Sequence, residues 1–225
     1  MGETGLNPLN VVCVKVKPRY DADYVNKLYR AVKRNLTLPF NFFCITDDAR
    51  DIDESINIIS VEHEDLPGWW QKLVLFKPLD QLKGRVLYLD LDTIITGSLD
   101  EMAAYSGDFI IVKPFYRASG FMSSVMAFES GFGRQVWTRF MEDPQAAMDI
   151  CAPLPERKGA WGDQRWLEIC VDQADYWQDL YPGQMVSFKA NVLPQQRIPA
   201  DTRVILFHGE PRPHEAGDWV RQFWD

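Results

Sequence analysis

Short apolar runs alternate with segments of helical periodicity along the first half of the chain. A short run of apolar, β-branched or aromatic residues is typical of a buried strand, and apolar residues three or four apart are typical of one face of a helix. By this pattern the predicted strands cover residues 11–16, 40–46, 56–61, 86–92, 108–113, 123–129 and 203–209. The predicted helices cover residues 21–36, 68–76, 98–105, 133–141 and 163–171.

This alternation predicts one domain of the α/β fold class. The 225 residues can bury one substantial core, and the sequence contains neither repeats nor low-complexity stretches. We expect residues 11–225 to form a single domain behind a flexible N-terminal segment at residues 1–10. Its central sheet is expected to be mixed, mostly parallel and flanked by helices. At the C-terminus, WVRQFW predicts a helix with Trp219, Val220, Phe223 and Trp224 on one face, which docks on this domain; contact with a membrane surface or a partner is the alternative.

Composition and charge disfavour several classes of partner. A formal net charge of −8 disfavours binding to a nucleic-acid backbone. The polar N-terminus MGETGLNPLN lacks the apolar core of a signal peptide, and no apolar run approaches the length of a transmembrane segment. We therefore expect a cytoplasmic location, with attachment to the inner face of a membrane as the alternative. The four cysteines, none of them in a C-x-x-C pair, are expected to be reduced core thiols.

Two aspartates stand at the end of the strand predicted at residues 86–92. Period-two geometry places Asp90 and Asp92 on one side of an extended segment, and Leu89 and Leu91 on the core side. Two like charges so close repel each other, and a bound divalent cation removes that repulsion. Carboxylate oxygens suit Mg²⁺ or Mn²⁺, and an added imidazole shifts the preference towards Mn²⁺.

An imidazole is available at the end of another predicted strand. His208, one of three histidines, ends the apolar run VILFH. In a largely parallel sheet the ligand crevice lies beyond the carboxyl ends of the strands. The side chains expected to cluster there are Tyr20, Asp47, Asp90, Asp92 and His208. A D-x-D triplet alone is weak support, because among 32 acidic residues it arises by chance and also suits a solvated strand end or a helix cap.

The segment WWQKLVLFKPLDQLKGRVLYLDLDTIITGSLDEM resembles the nucleotide-sugar-dependent glycosyltransferases of the GT-A fold, in particular the glycogenin and lipopolysaccharide galactosyltransferase group. In that family a lysine-bearing helix leads into a strand that ends in D-x-D. The resemblance extends from the first strand to FHGEPRP. It implies a GT-A-like domain that transfers a sugar from a UDP-sugar, with retention of configuration and a bound Mn²⁺ or Mg²⁺. The acceptor, a glycan, a lipid-linked group or a protein, stays open.

The resemblance also implies roles for individual residues. The implied metal ligands are Asp90, Asp92 and His208. The implied donor-binding residues are Val14, Tyr20, Lys72, Asp90, Gly209 and Arg212. Among these, Tyr20 would stack on uracil and Arg212 would meet the diphosphate. The implied catalytic residues, close to the sugar and its anomeric carbon, are Lys72, Asp163 and Gln164.

The chain departs from the family pattern at two places. Where the family has N-S-G-V before a strand, this chain has Met122 at the Asn position and Ser124 at the Gly position, so the sugar contacts of that Asn are open here. The interval between His208 and Arg212 is also shorter than in the family's H-x-x-G-x-x-K-P segment. The phosphate-binding loop is therefore expected to differ in shape.

Each predicted site residue also has a purely structural interpretation. Lys72 on a helix and Arg212 between two prolines both suit solvent-facing charges. Tyr20 suits a contact that fixes the start of the first helix, and Asp163 suits an N-cap. His208 suits a hydrogen-bonded histidine at a strand end.

Two other functions stay open at this point. Phosphatases of the haloacid dehalogenase group also place D-x-D after an apolar strand, and Asp90 would then attack phosphorus. Against them stand Ile94, where that motif has Thr or Val, and the late position of the motif in the chain. The other alternative is a domain that binds a nucleotide sugar or a glycan without turnover. Trp69 and Trp70 would suit an acceptor wall, although core packing is expected for at least one of them.

Overall fold

The computed structural model describes residues 9–61, 66–153 and 160–224, and residues 1–8 of the predicted flexible segment lie outside this description. The strands are β1 (Leu9–Lys15), β2 (Phe40–Thr46), β3 (Asn57–Ser60), β4 (Arg85–Leu89), β5 (Thr93–Ile95), β6 (Phe109–Val112), β7 (Met122–Glu129), β8 (Asp175–Tyr176), β9 (Met185–Ser187) and β10 (Val204–Leu206). The α-helices are α1 (Ala22–Asn35), α2 (Asp100–Ala103), α3 (Arg134–Glu142), α4 (Pro144–Ile150), α5 (Asp163–Cys170), α6 (Trp177–Leu180) and α7 (Asp218–Arg221). Short 3₁₀ or π segments cover Gly68–Phe76, Phe188–Val192, Leu193–Gln195 and Pro213–Glu215.

The main sheet has seven strands in the order β3-β2-β1-β4-β7-β6-β8. Its pairings are parallel except for those of β7, which runs antiparallel to β4 and to β6. Both faces are covered, because Val11 and Cys13 of β1 pack into one hydrophobic cluster and Val12 packs into another. A strand that is buried on both faces is apolar at successive positions, which explains the run VVCV. The predicted α/β class and mixed, mostly parallel sheet are confirmed.

The chain leaves the main sheet at Asp90 and enters a second sheet at Thr93. β4 ends at Leu89 rather than at Asp92, and a turn follows in which the Thr93 N–H donates to the Asp90 carbonyl at 3.2 Å. The prediction that one extended strand carries both aspartates is therefore wrong, because the backbone turns between them. Leu89 and Leu91 are both buried in the core, as the pattern predicts.

The second sheet contains the three strands β5, β10 and β9. β5 and β9 are three residues long each, which is too short for a hydrophobic pattern to reveal. β10 is antiparallel to β5 and pairs Leu206 with Thr93. It ends before His208, so the strand predicted at residues 203–209 is shorter than expected. Because Leu206 pairs with Thr93, the segment that leads from β10 to His208 passes next to Asp92. The end of β10 in the second sheet therefore lies near the end of β4 in the main sheet.

Several local features differ from the sequence prediction. The segment Gly68–Phe76 is a 3₁₀ helix, and β1 begins at Leu9 inside the predicted flexible segment. Helix α4 was not predicted; the Asp143 carboxylate caps it by accepting from the Ala146 N–H at 3.0 Å. The four cysteines are free and buried, as predicted.

The C-terminal segment docks on the domain. Val220 and Trp224 are buried, and the Trp224 ring lies 4.9 Å from the Tyr24 ring and 3.9 Å from the Lys27 Nζ. The predicted docking is confirmed, although Trp219 is 37% exposed and does not share the buried face. Among the helices of the described ranges, none combines the length and the apolar composition that crossing a bilayer requires.

Candidate active site

A cavity of about 750 Å³ opens beyond the carboxyl ends of β1, β4 and β10. Most of the predicted site residues line it: Val14, Tyr20, Lys72, Asp90, Asp92, Asp163, Gln164, His208 and Gly209. Arg212 reaches the same place through its contacts with Tyr20 and Asp92. Asp47 lies outside the lining, and its carboxylate accepts from the Lys17 N–H at 3.3 Å. The expected clustering therefore holds for the other predicted residues, and Asp47 instead supports the loop after β1.

Lys72 is buried between two carboxylates at the floor of this cavity. Its Nζ lies 2.9 Å from Oδ1 of Asp90 and 3.4 Å from Oδ2 of Asp163, and it donates to the Ser123 Oγ at 3.1 Å. Burial alone lowers the pKa of Lys72, but the charges of Asp163 and Asp90 outweigh burial, so its pKa is raised and the side chain stays charged. The interpretation of Lys72 as a solvent-facing charge is wrong, because its ammonium group lies inside this network.

The two carboxylates around Lys72 are held by hydroxyl groups. The Ser123 hydroxyl donates to Oδ2 of Asp163 at 2.6 Å, and the Tyr88 hydroxyl donates to Oδ1 of Asp90. The N-cap of α5 is Gly162, and Asp163 follows it within the helix, so the N-cap interpretation of Asp163 is wrong. The sequence analysis did not identify Tyr88 or Ser123. The period-two spacing of Tyr88 and Asp90 in VLYLD was the available signal for the former.

Asp92 has a separate set of partners. Its Oδ2 accepts from the Tyr20 hydroxyl at 2.7 Å and from Nη1 of Arg212 at 3.0 Å, and the same Nη1 donates to the Tyr20 oxygen at 2.6 Å. Burial, together with the charge of Asp90, raises the pKa of Asp92 to about 6, although Tyr20 and Arg212 act in the opposite direction. Arg212 is therefore an internal partner of a buried acid and not a surface-loop charge.

His208 lines the cavity just after β10. Its Nε2 lies 2.7 Å from the Ser187 Oγ at the end of β9. Its ring is nearly parallel to the ring of Phe115 at 6.3 Å and lies 5.5 Å from the ring of Tyr116. Burial and the nearby Lys189 lower the pKa of His208, which favours the neutral imidazole. Ser187 was not identified from the sequence, because the short β9 that carries it was not predicted.

The predicted metal ligands share the cavity but are not assembled into a coordination shell. Within residues 9–61, 66–153 and 160–224, no group of three His, Cys, Asp or Glu side chains is arranged to hold a metal ion. Asp90 is paired with Lys72, and Asp92 is paired with Arg212. The negative charge of Asp90 nevertheless raises the cost of ionising the buried Asp92, and a hard divalent cation would relieve that cost. The third ligand, His208, would have to join them.

The first residues of β7 form another part of the cavity wall. Met122, Ser123 and Ser124 all line the cavity. The Ser124 carbonyl accepts from the Asp90 N–H at 2.8 Å, which ties β7 to the turn between the two sheets. Met122 thus presents an apolar side chain at the position where the resembled family has an amide.

Comparisons with known proteins identify the fold. No protein-family model matches the chain, and a search of curated proteins gives no match. Among solved structures, the glycosyltransferase GlyE of Streptococcus pneumoniae TIGR4 is similar, with a TM-score of 0.65 and 15% identity over 96% of this chain. The galactosyltransferase LgtC, in complex with donor and acceptor sugar analogs, gives a TM-score of 0.67 and 14% identity over 95% of this chain and 93% of that chain. This chain spans 59% of the length of the GlyE chain. The predicted GT-A-like fold is confirmed.

Proposed function

We propose that this chain is a metal-dependent glycosyltransferase that transfers a sugar from a UDP-sugar to an acceptor with retention of configuration. One observation carries the proposal: on this fold, a single cavity contains the buried Lys72–Asp90–Asp163 network beside the Asp92–Tyr20–Arg212 cluster. The similarity to LgtC, which was solved with donor and acceptor sugar analogs, supports a sugar donor for the same region of the fold. Fold similarity alone does not decide function, so the argument depends on the chemistry of these side chains.

The donor is proposed to lie along the cavity from β1 to α5. Val14 and Tyr20 line the end next to β1, where the nucleoside would bind. Gly209, with a φ of 74°, and Arg212 belong to the segment that would meet the diphosphate. At the other end, Lys72, Asp163 and Gln164 would surround the sugar. Tyr20 and Arg212 of one cluster are thus assigned to the nucleoside and the diphosphate, and Lys72 and Asp163 of the other cluster to the sugar.

Stabilisation of the leaving group is the main task that these residues perform in the proposed reaction. When the bond between the sugar and the diphosphate breaks, negative charge grows on the diphosphate oxygen. Lys72 and Arg212 place fixed positive charge beside the cavity before the reaction begins, which is the arrangement that lowers such a barrier. A Mn²⁺ or Mg²⁺ ion bound by Asp90, Asp92 and His208 would add Lewis-acid stabilisation of the same oxygens.

The ion pairs of the free protein also suit donor binding. Lys72 is shared by Asp90 and Asp163, and Arg212 pairs with Asp92, so two cations compensate the three acids in part in the structure described here. An anionic donor offers both cations a second partner inside the same cavity. Asp163 and Gln164 are assigned to the sugar end without a named nucleophile.

A cytoplasmic location, with attachment to the inner face of a membrane as the alternative, belongs to this proposal. The four buried free thiols are compatible with a reducing compartment.

Thermal-shift screening against nucleotides and nucleotide sugars, with and without Mn²⁺, tests the proposed function. A ligand that binds only the folded state raises the melting temperature, so UDP and one or more UDP-sugars should stabilise the protein, and Mn²⁺ should increase the effect. The screen should include adenosine and guanosine diphosphates as matched controls. The absence of stabilisation by every nucleotide in the panel would contradict the proposal.

A further inference from the structure

Two tryptophan side chains remain exposed at the rim of the cavity. Trp69, in the 3₁₀ segment, is 42% exposed, and Trp161, just before α5, is 43% exposed. Both line the cavity, and their ring centroids are 5.0 Å apart with an interplanar angle of 73°. Large aromatic surface left in water is unfavourable unless something binds to it, so a pair of this kind indicates a binding surface.

The exposure of this pair is built into the local structure. The neighbouring Trp70 is buried and stacks on Phe140 at 5.2 Å, so the core next to it accepts an indole. Trp69 instead lies against Gly162, where a Cβ atom would come within 2.7 Å of the Trp69 Nε1. Gly162 also has a φ of 65°, a conformation that other residues rarely adopt. A glycine at this position therefore allows Trp69 and Trp161 to be held side by side.

The pair lies at the sugar end of the proposed donor site. Trp69 is on the same 3₁₀ segment as Lys72, and Trp161 directly precedes the turn that leads into Asp163 and Gln164. All five side chains line one cavity. A molecule that contacts both indoles is thus placed beside the residues assigned to the transferred sugar and away from the nucleoside end.

The chemistry of this rim favours a neutral ring with an apolar face. Gly68 and Ala160, the lining residues next to the pair in the sequence, are uncharged. The faces of the indoles carry partial negative charge and attract the weakly positive C–H groups on one face of a pyranose, while the sugar hydroxyls stay free for polar contacts. We infer that Trp69 and Trp161 form an acceptor subsite and that the acceptor is a glycan whose sugar ring lies against them. The inference rests on the proposed glycosyltransferase function.

Saccharide binding by the protein without any donor tests the subsite directly. The probes are an array of glycans and fluorescence titrations with lactose, maltotriose, cellotriose and chitotriose. One or more of these saccharides should bind, and Trp69→Ala and Trp161→Ala should each weaken binding about tenfold or more, a loss that truncation of a stacking ring produces. Trp69→Phe and Trp161→Phe should restore part of the affinity, because they keep an aromatic face.

A matched control and a separate readout make the outcomes distinguishable. Trp219→Ala removes another partly exposed indole, which lies outside the cavity lining, and should bind saccharides as the wild type does. Far-ultraviolet circular dichroism and melting temperatures exclude misfolding of the variants. Stabilisation by UDP and turnover of a UDP-sugar test the proposed function, whereas saccharide binding without a donor tests the subsite. The inference is overturned if no saccharide binds, if the Trp69 and Trp161 variants bind saccharides as the wild type does, or if only peptides or lipid vesicles serve as acceptors.

Discussion

The Tyr20 hydroxyl oxygen lies 2.7 Å from Oδ2 of Asp92 and donates its proton to that carboxylate. Nη1 of Arg212 completes the contact at 2.6 Å from the Tyr20 oxygen and 3.0 Å from the Asp92 oxygen. Three distant parts of the chain therefore meet at one carboxylate: the loop after β1, the turn between the two sheets and the C-terminal segment. This convergence means that the C-terminal segment helps to close the site.

Removing the guanidinium of Arg212 should leave Asp92 buried without its cation. The side chains of Arg212 and Asp92 are 15% and 9% exposed, so solvent compensates little for the loss. Arg212→Met should lower the free energy of unfolding by about 1–3 kcal/mol, and Arg212→Lys should retain more of it because the charge remains. Urea unfolding of both variants measures this, and equal stability of Arg212→Met and wild type would show that the ion pair is unimportant.

Lys72 should be more important for stability than Arg212. Its ammonium group is shared by Asp90 and Asp163, and its side chain is 11% exposed. Lys72→Met should lower the free energy of unfolding by roughly 3–5 kcal/mol, the usual cost of leaving buried charges without a partner. Ser123→Ala, which removes a hydrogen bond from the same network, is the milder comparison. A loss of less than about 1 kcal/mol for Lys72→Met would mean that the network contributes little.

Asp163→Asn should separate catalysis from donor binding. Asn keeps the size of the side chain and can still accept from Ser123, and Gly162, not Asp163, caps α5. We expect stabilisation by UDP to persist while sugar transfer falls about 100-fold, since a charge beside the proposed anomeric carbon is lost. Asp218→Asn, in the first turn of α7 and outside the cavity lining, is the matched control and should leave both readouts unchanged. Transfer at the wild-type rate would remove Asp163 from the catalytic residues.

Ser187 should orient His208 for metal binding. Its hydroxyl contacts the imidazole Nε2 at 2.7 Å and also accepts from the Ala190 N–H at 3.1 Å. Partners of a metal-bound histidine typically contribute 10- to 100-fold in metal affinity, so Ser187→Ala should weaken Mn²⁺ binding in the presence of UDP by about tenfold or more. Calorimetric titration with Mn²⁺ measures the change. If Ser187→Ala and His208→Ala both bind Mn²⁺ as the wild type does, His208 is not a metal ligand.

The sequence was sufficient to predict six of the seven strands of the main sheet, all but the two-residue β8, and only β10 of the second sheet. β2 was predicted at its observed bounds, because FNFFCIT is rich in aromatic and β-branched residues and lies between Pro39 and Asp47. β5 and β9 are held by pairing with β10, a tertiary interaction that leaves no periodic signal in three residues. The strand predicted at residues 86–92 was too long because the chain turns after Leu89 to reach the second sheet. That turn is decided by the pairing of β5 with β10, which the local sequence does not reveal.

The residues of the site were easier to predict than their partners. Lys72, Asp90, Asp92 and Asp163 were identified from motif resemblance, and all four line the cavity. Ser123 and Ser187 were not, because a hydroxyl group in a strand has no distinctive spacing, and Tyr88 was missed although its period-two spacing from Asp90 was a signal. The roles of these side chains depend on which strand ends meet at the cavity. Which strand ends meet depends on how the chain passes from the main sheet to the second sheet.

Turnover of a UDP-sugar by the wild type and by Asp92→Asn is the most direct test of the proposed enzyme. Asn at this position can still accept from Tyr20, so the variant should fold, with unchanged circular dichroism. With Mn²⁺ present, the wild type should release UDP from a UDP-sugar, and Asp92→Asn should have no detectable activity. Unchanged turnover in Asp92→Asn would refute the assignment of the acidic pair to the metal. If the wild type binds UDP but turns over no UDP-sugar, the chain is a binding domain. If it releases phosphate from a simple phosphoester, it is a phosphatase. Either result would contradict the proposed glycosyltransferase function.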